Sequence, residues 1–245
     1  MKSLLHRFSL AGMALLVLSG CQCPEHGRSS SPAAAISAAP PTKESQAATT
    51  PQQALAELRN GNARFVSGHP VQRDMRADLK ATAGGQYPFA VVLSCVDSRQ
   101  PTEIVFDQGV GDIFAARVAG NVLSEDIIGS MEFGCKVSGA KLLAVIGHSN
   151  CGAIKGSVDN VDLANLTGLL AKIKPAIANV PAEIQPRNSK NLAFVDKVSE
   201  ANVRLVMQQI RDRSPILREM LEQNQIALVG GMYDLSTGEI HFFEK

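Results

Sequence analysis

The stretch LLAVIGHSNCG, residues 142–152, and the earlier stretch FAVVLSCVDSR, residues 89–99, carry the clearest information on the fold. Each begins with a continuous run of apolar residues that has the length of a β-strand and no polar alternation. Such runs are typical of parallel strands that are buried on both faces of a sheet. Each run ends in a cluster of polar residues that contains a cysteine. We therefore expect both clusters at the carboxyl ends of strands, where α/β sheets place their functional sites.

The rest of the folded sequence repeats this alternation of strand-length apolar runs with segments of helical periodicity. The predicted strands cover residues 89–94, 113–116, 142–146, 226–232 and 240–243, the last two joined in a hairpin at Gly238. The predicted helices cover residues 124–137 and 201–213, with a short helix at 74–82 and another that begins at Thr50, just before Pro51. This order predicts an α/β fold, a mainly parallel sheet that is flanked by helices and has an antiparallel C-terminal edge strand.

The N-terminus has the features of a targeting segment. Lys2 and Arg7 supply positive charge, and residues 8–18 form a mostly apolar stretch that is too short to span a bilayer. We predict that residues 1–20 are a signal peptide. The stretch ends in LSGC, residues 18–21, which resembles the lipobox of bacterial lipoproteins, where cleavage precedes the cysteine and its thiol is lipidated. Secretion followed by release in soluble form is the alternative.

Residues 21–50 are rich in Ser, Ala, Pro and Thr and have no hydrophobic periodicity. Such a segment cannot bury enough apolar surface to offset the entropy of ordering it. We predict a disordered tether, anchored to the membrane only by acyl chains on Cys21, followed by a folded domain at 51–245. The residue after the cysteine is Gln22, which resembles the pattern of lipoproteins that are sent to the outer membrane. The predicted location is therefore the periplasm, on a lipid anchor in the outer membrane.

The composition argues against a nucleic-acid partner. Among 245 residues, 24 Lys and Arg oppose 23 Asp and Glu, which gives a formal net charge of +1. Aromatic residues make up 4% of the chain, and it has no tryptophan. Nucleic-acid binding generally needs a basic surface, and single strands need aromatic side chains on which bases stack. A small molecule is the better expectation.

Three side chains in the two polar clusters could bind a metal ion. His148 and Cys151 stand three residues apart in a predicted strand-to-helix turn, a spacing at which an imidazole nitrogen and a thiolate can converge on one ion. Cys95 could supply a third ligand. Two cysteines and one histidine leave the fourth position of tetrahedral Zn²⁺ open, as in catalytic zinc sites. A disulfide between the cysteines is the alternative in an oxidising compartment, but it leaves Asp97 and Arg99 unexplained.

The two clusters resemble the C-x-D-S-R and H-x-x-C-G motifs of β-carbonic anhydrases. They are CVDSR at 95–99 and HSNCG at 148–152, and the segments FDQGVGD at 106–112 and RVAGN at 117–121 are also similar to family sequence. The resemblance covers about residues 53–243. It implies the family's α/β fold, a homodimer or higher homo-oligomer, and the reversible hydration of CO₂ to bicarbonate and a proton. It also implies one Zn²⁺ per subunit, bound by Cys95, His148 and Cys151.

The resemblance gives roles to the residues around the zinc ion. Asp97 and Arg99 match an Asp–Arg pair beside the metal, and we expect Asp97 to orient a zinc-bound hydroxide while Arg99 keeps Asp97 ionised. In one subgroup of the family this aspartate becomes the fourth zinc ligand in a closed form. Bicarbonate bound in a nearby tryptophan-containing pocket favours that form, but here Val92 stands at the position that matches the tryptophan. We therefore expect the open form at neutral pH. A purely structural ion pair is the alternative.

The resemblance also implies contacts with substrate. Gln86 matches a glutamine that donates a hydrogen bond to substrate, Phe114 and Val118 match pocket positions that are apolar or nearly so, and Gly152 would add a backbone N–H near the metal. Two other functions stay open at this point. One is a zinc hydrolase of the same fold that acts on carbon disulfide or carbonyl sulfide, and the other is a noncatalytic lipoprotein that binds zinc or bicarbonate.

Overall fold

One five-stranded sheet organises the computed structural model, which describes residues 39–243. The strands are β1 (Ala90–Ser94), β2 (Ile113–Arg117), β3 (Leu142–His148), β4 (Ala227–Tyr233) and β5 (Ile240–Phe242). Their order in the sheet is β2-β1-β3-β4-β5; the first four are parallel, and β5 pairs antiparallel with β4. The predicted fold class, a mainly parallel sheet with an antiparallel C-terminal edge strand and flanking helices, is confirmed.

Helices cover the sheet and its carboxyl edge. They are α1 (Lys43–Ala48), α2 (Pro51–Ser67), α3 (Met75–Thr82), α4 (Thr102–Val105), α5 (Glu125–Glu132), α6 (Gly152–Val158), α7 (Ala164–Ala171), α8 (Lys174–Ala178), α9 (Leu192–Arg213) and α10 (Pro215–Glu222). A 3₁₀ turn (Ala119–Asn121) follows β2, and a π-helical turn (Phe133–Val137) extends α5. Among the described helices, none combines the length and apolar character that a bilayer span requires.

Ordered structure begins before the expected domain boundary at residue 51. Thr42 and Ser45 form a capping box at the start of α1. Gln46 is buried, and its Nε2 donates to the carbonyls of Pro88 at 2.7 Å and Ser138 at 2.8 Å. These carbonyls precede β1 and β3. Helix α1 is therefore fixed at the amino edge of the sheet, the side at which the parallel strands begin. The end of the expected tether therefore belongs to the domain, whereas the predicted signal peptide and lipidation site lie outside the described residues.

Helix α2 starts where the sequence predicts and packs on the sheet of its own chain. Thr50 and Gln53 form its capping box, and Leu58 is fully buried against the sheet. Gly61 lies directly on the backbone of Phe106, because a Cβ added at Gly61 would stand 1.8 Å from the Phe106 carbonyl oxygen. A glycine is therefore required where α2 crosses the end of α4.

The apolar core lies on both faces of the sheet and continues beyond one edge. All residues of β1 and β3 are buried, with Val91 and Leu93 packing on one face and Ala90 and Val92 on the other. A third cluster, called the metal-edge cluster below, lies at the carboxyl ends of these strands. It consists of Cys95, Val122, Cys151, Ile154, Leu170, Ile173, Val180, Phe194, Val195 and Val198.

Helix α9 approaches the sheet unusually closely. A Cβ added at Gly147 in β3 would lie 2.8 Å from Val203 Cγ2 and 3.0 Å from Ser199 Oγ. One added at Gly230 in β4 would lie 2.5 Å from Met207 Sδ. The absence of side chains at these two strand positions lets α9 rest against the backbone of the sheet. The helix also begins nine residues before the predicted start at residue 201, with the Asn191 side chain capping it.

A buried ion cluster joins α2 to the loop that follows it. Asp107 accepts hydrogen bonds from Arg64 Nε and, at 2.8 Å, from Arg73 Nη1. The side chains are 5% exposed for Asp107, 13% for Arg64 and 7% for Arg73. Burial opposes ionisation of Asp107, but the hydrogen bonds from both guanidinium groups outweigh it and lower the pKa of the carboxyl group. The carboxylate is therefore a counter-charge for both buried cations, and Arg64 has a second one in Glu57, 3.0 Å away.

Replacing this carboxylate should destabilise the fold. We expect Asp107→Asn to lower the free energy of unfolding by about 3 kcal/mol, because buried Arg73 loses its carboxylate partner and Arg64 keeps only the partly exposed Glu57. Chemical denaturation followed by far-UV circular dichroism measures the change. The control is Glu200→Gln, which removes a carboxylate paired with the exposed Lys197 and Arg204 and should cost less than about 1 kcal/mol. Equal losses in the two variants would contradict this reading of Asp107.

Candidate metal centre

The carboxyl ends of β1 and β3 bring the three predicted metal ligands together. Cys95 follows β1 directly, His148 is the last residue of β3, and Cys151 caps the start of α6. One donor atom from each lies within 4.8 Å of the others, and all three residues are buried. Within residues 39–243 this is the single group of three or more His, Cys, Asp or Glu side chains that could hold a metal ion. Both cysteines are free thiols, so they do not form a disulfide.

The histidine supplies the test of whether a metal ion fits. His148 is fully buried, and its Nδ1 lies 2.9 Å from the carbonyl oxygen of Ser149. A proton on Nδ1 donates to that carbonyl and leaves the lone pair of Nε2 available. Nε2 is buried and has no hydrogen-bond partner, which costs about 1–3 kcal/mol unless something else satisfies it. A cation held with the two sulfurs does so, and one nitrogen with two thiolates is a donor set that zinc prefers.

The two thiols differ in their tendency to ionise. The hydrogen bond from Cys151 lowers the pKa of Cys95 to about 4, with further help from the backbone N–H of Gly120. That nitrogen lies 3.3 Å from Cys95 Sγ. The same thiol–thiol hydrogen bond, together with burial, raises the pKa of Cys151. Cys95 is therefore the more acidic of the two thiols, and a bound divalent cation would favour ionisation of both.

Asp97 stands beside the three ligands and is held by Arg99. Arg99 donates from Nε to Asp97 Oδ1 at 2.9 Å and from Nη2 to Oδ2 at 2.8 Å. Asp97 Oδ2 lies 3.9 Å from His148 Nε2. The hydrogen bonds from Arg99 hold the pKa of Asp97 well below its usual range. An ionised carboxylate is thus next to the metal ligands while both of its oxygens are engaged by a guanidinium group. The open form stays a prediction.

Arg117 fixes the turn that carries Cys95 and Asp97. It donates from Nε to the Cys95 carbonyl at 3.0 Å and from Nη2 to the Asp97 carbonyl at 2.7 Å. The sequence did not predict this contact, because it depends on the strand register that places Arg117 opposite Ser94. Gly120 was also missed as a hydrogen-bond donor to sulfur. The available signal was the glycine in RVAGN, because glycine can adopt the observed φ of 66° without strain.

The structure brings two of the four predicted substrate residues to this site within one chain. Val118 packs against the metal-edge cluster, and Gly152 is the exposed first residue of α6. Phe114 lies three residues before the carboxyl end of β2. Gln86 is exposed before β1, at the amino edge of the sheet. Contacts of all four with substrate remain predictions.

Similarity to curated proteins is concentrated in one family. Residues 90–240 match the family model described as carbonic anhydrase. Carbonic anhydrase 2 of Mycobacterium tuberculosis is 33% identical over 191 residues, which cover 78% of this chain and 91% of that protein. The carbonic anhydrase of Mycolicibacterium smegmatis is 33% identical over 193 residues, which cover 78% of this chain and 93% of that protein.

Solved structures of low sequence identity share the fold. The β-carbonic anhydrase CafA of Aspergillus fumigatus has a TM-score of 0.63 at 23% identity, over 79% of this chain and 90% of that chain. A β-carbonic anhydrase of Sordaria macrospora, one of two described as tetrameric, has a TM-score of 0.59 at 21% identity, over 68% of this chain and 86% of that chain.

The zinc content of cysteine variants should distinguish the predicted ligand cysteines from the third cysteine of the described residues. We expect the purified protein to hold about one zinc ion per chain and Cys151→Ala to hold less than about a tenth of that, because a ligand is lost. Cys135→Ala is the matched control. Cys135 is also buried, which raises the pKa of its thiol to about 12, but it lies outside the metal group. Elemental analysis of the folded proteins measures the content, and equal zinc loss in both variants would count against the site.

Proposed function

Because this chain belongs to the carbonic anhydrase family and has the fold of its β class, we propose that it hydrates carbon dioxide at the carboxyl edge of its sheet. The reaction is the reversible conversion of CO₂ and water to bicarbonate and a proton, and the enzyme is a zinc-dependent carbonate dehydratase, a lyase. One zinc ion per subunit is held by Cys95, His148 and Cys151. The observation that carries this function is the buried Cys–His–Cys group, with His148 Nε2 lacking any other partner.

The residues around the ligands have separate roles in the reaction. When bound, zinc supplies a Lewis acid that makes water a nucleophile near neutral pH. Two thiolate ligands reduce the net charge on the ion, so help from a neighbouring group matters. Asp97 accepts a hydrogen bond from the attacking water and orients it, and Arg99 keeps Asp97 ionised. Val118 belongs to an apolar wall that suits CO₂, and the Gly152 N–H donates to a substrate oxygen.

The role of Asp97 can be tested by its amide analogue. We expect Asp97→Asn to keep its zinc and to lower kcat for CO₂ hydration by about 100-fold, because the nucleophile is no longer oriented. Stopped-flow hydration with a pH indicator gives the rate. Glu200→Gln removes a carboxylate that pairs with Lys197 and Arg204 outside the metal group, and it should leave the rate unchanged. An unaltered rate in Asp97→Asn would reduce the Asp97–Arg99 pair to a structural contact.

The same assay, run on the zinc-loaded wild type, tests the function as a whole. Measurable CO₂ hydration is the expected result. A zinc-loaded protein without that activity would overturn the proposal. Assays with carbon disulfide and carbonyl sulfide would then identify a hydrolase of the same fold, and inactivity on all three substrates would indicate a binding protein.

We propose that the enzyme works as a homodimer or a higher homo-oligomer. Gln86 lies before the amino end of β1 and Cys95 follows its carboxyl end, and the strand alone separates these ends by about 17 Å. A substrate contact by Gln86 therefore requires the glutamine of a second chain. The tetrameric Sordaria macrospora proteins, which share this fold, give the proposal further support.

Solution mass and Gln86 can be examined together. Sedimentation should give at least twice the mass of one chain, and Gln86→Ala should lower kcat/KM for CO₂ about tenfold while mass and zinc content stay unchanged, since about 1.4 kcal/mol of binding is lost. Gln223→Ala, on the exposed end of α10, is the control. A fully active monomer would contradict the proposal.

We further propose that the enzyme is exported to the periplasm and held to the outer membrane by lipid on Cys21. The apolar segment at 8–18 and the lipobox-like LSGC at 18–21 support this location. The position of α1 agrees with it. The described chain joins the domain at the amino edge of the sheet, so a tether attached there leaves the metal ligands at the opposite edge.

Lipidation predicts a clear difference between two nearby cysteines. In a bacterial host, we expect the wild type to sediment with membranes and to incorporate labelled palmitate, because more than one acyl chain makes anchoring stable. Cys21→Ser should lose both properties, and Cys23→Ser should keep both. A wild type that fractionates as an unlabelled soluble protein would favour plain secretion instead.

A further inference from the structure

Three polar side chains of α9 make hydrogen bonds to the backbone around the metal ligands. Asp196, Ser199 and Asn202 follow one another at intervals of three residues, a spacing that places them along one side of the helix. Ser199 and Asn202 are each 1% exposed. Buried polar groups cost free energy unless they are hydrogen-bonded, so their partners indicate what they do. We call these three residues the α9 polar row.

Asp196 contacts the turn between two metal ligands. Its Oδ1 accepts a hydrogen bond of 2.7 Å from the backbone N–H of Asn150. Asn150 has a φ of 56°, in the left-handed region, and lies between His148 and Cys151. A hydrogen bond to an ionised carboxylate is stronger than one between neutral groups. Asp196 thus fixes the tight turn that sets the distance between the imidazole and the second thiolate.

Ser199 contacts the histidine ligand itself. Its hydroxyl donates to the main-chain carbonyl of His148 at 3.2 Å. The contact requires the close approach of α9 to β3, where a Cβ at Gly147 would lie 3.0 Å from Ser199 Oγ. This hydrogen bond fixes the end of the strand from which the imidazole extends.

Asn202 reaches the first cysteine ligand through Gly120. Its Nδ2 donates to the Gly120 carbonyl at 2.9 Å, and the Gly120 N–H donates to Cys95 Sγ at 3.3 Å. Gly120 therefore joins the helix to the sulfur. Hydrogen bonds of the α9 polar row thus reach the backbone of His148, the residue before Cys151 and, through Gly120, the sulfur of Cys95.

We infer that the α9 polar row positions the three metal ligands relative to one another and thereby sets how tightly the protein holds zinc. The inference rests on the zinc site of the proposed function. The ligands come from three separate elements, which are the ends of β1 and β3 and the start of α6, and α9 is the element that contacts the backbone near all three. Apolar residues Val195 and Val198 of the same helix lie in the metal-edge cluster and hold α9 in place. The three polar residues act through the ligands and are positioning residues.

Zinc release from the folded protein tests this role without using activity. The first-order rate of zinc loss to an excess of a chromogenic chelator is measured for the zinc-loaded full chain. Because groups that orient metal ligands typically contribute 10- to 100-fold to affinity, we expect Asp196→Ala and Ser199→Ala to release zinc about tenfold or more faster than wild type. Asp196→Asn keeps an oxygen acceptor for the Asn150 N–H and should fall between Asp196→Ala and wild type.

Glu200→Ala is the matched control for Asp196→Ala. It removes a carboxylate from the same helix, one that pairs with Lys197 and Arg204, and should release zinc at the wild-type rate. The melting temperature is measured with and without zinc. If the row positions the ligands, zinc should raise the melting temperature of the variants less than that of the wild type, because stabilisation by a bound metal depends on its affinity. A merely structural role lowers both temperatures equally.

The outcomes separate this inference from the proposed function. If the wild type holds zinc, and folded Asp196→Ala and Ser199→Ala release it at the wild-type rate, the positioning role is overturned while the zinc site stands. An equal lowering of both melting temperatures, with unchanged release, overturns it in the same way. A wild type that binds no zinc overturns the metal site and this inference with it. The substitution Ser199→Ala removes one hydroxyl and little volume, so it keeps the test interpretable if an Asp196 variant fails to fold.

Discussion

Ser94 pairs with Ile146 in the parallel ladder between β1 and β3, and the location of the metal ligands depends on this pairing. It brings Cys95, the residue after β1, level with Gly147 and next to His148. A slip of one residue would turn the side chains of a strand to the opposite face of the sheet. Close packing on both faces of these buried strands prevents that slip, since the side chains would no longer fit their neighbours. The core packing therefore also sets the geometry of the metal site.

The donor atoms are placed in apolar surroundings. Cys95 and Cys151 belong to the same cluster as Ile154, Leu170 and Phe194. Thiolates in such surroundings are expensive to desolvate unless a cation neutralises them. Hydrogen bonds from the protein relieve only part of this cost, and they do so mainly at one of the two sulfurs. Metal binding and the stability of the carboxyl edge are thus coupled, because the same ion satisfies both sulfurs and the histidine nitrogen.

The sequence predicted β1, β3 and the three ligands well, because continuous apolar runs followed by polar residues are a local signal. It missed α1, whose sequence KESQAA is polar and whose position depends on hydrogen bonds from Gln46 to carbonyls distant in sequence. It also missed the first nine residues of α9. In that part of the helix Asp196 and Ser199 interrupt the apolar periodicity, and these residues contact the metal centre. The location of Gln86 was not predictable either, because its separation from Cys95 along the chain says nothing of the strand that lies between them.

The hydrogen bonds of Gln46 have a practical consequence. They fix the start of the described chain to the loops before β1 and β3, at the edge of the sheet opposite to Cys95 and His148. A tag, fusion partner or solid support joined ahead of residue 42 would therefore be attached at the amino edge. Immobilising the protein through that end, on a bead or an electrode for example, would leave the ligand edge of the same chain turned toward the surrounding solution.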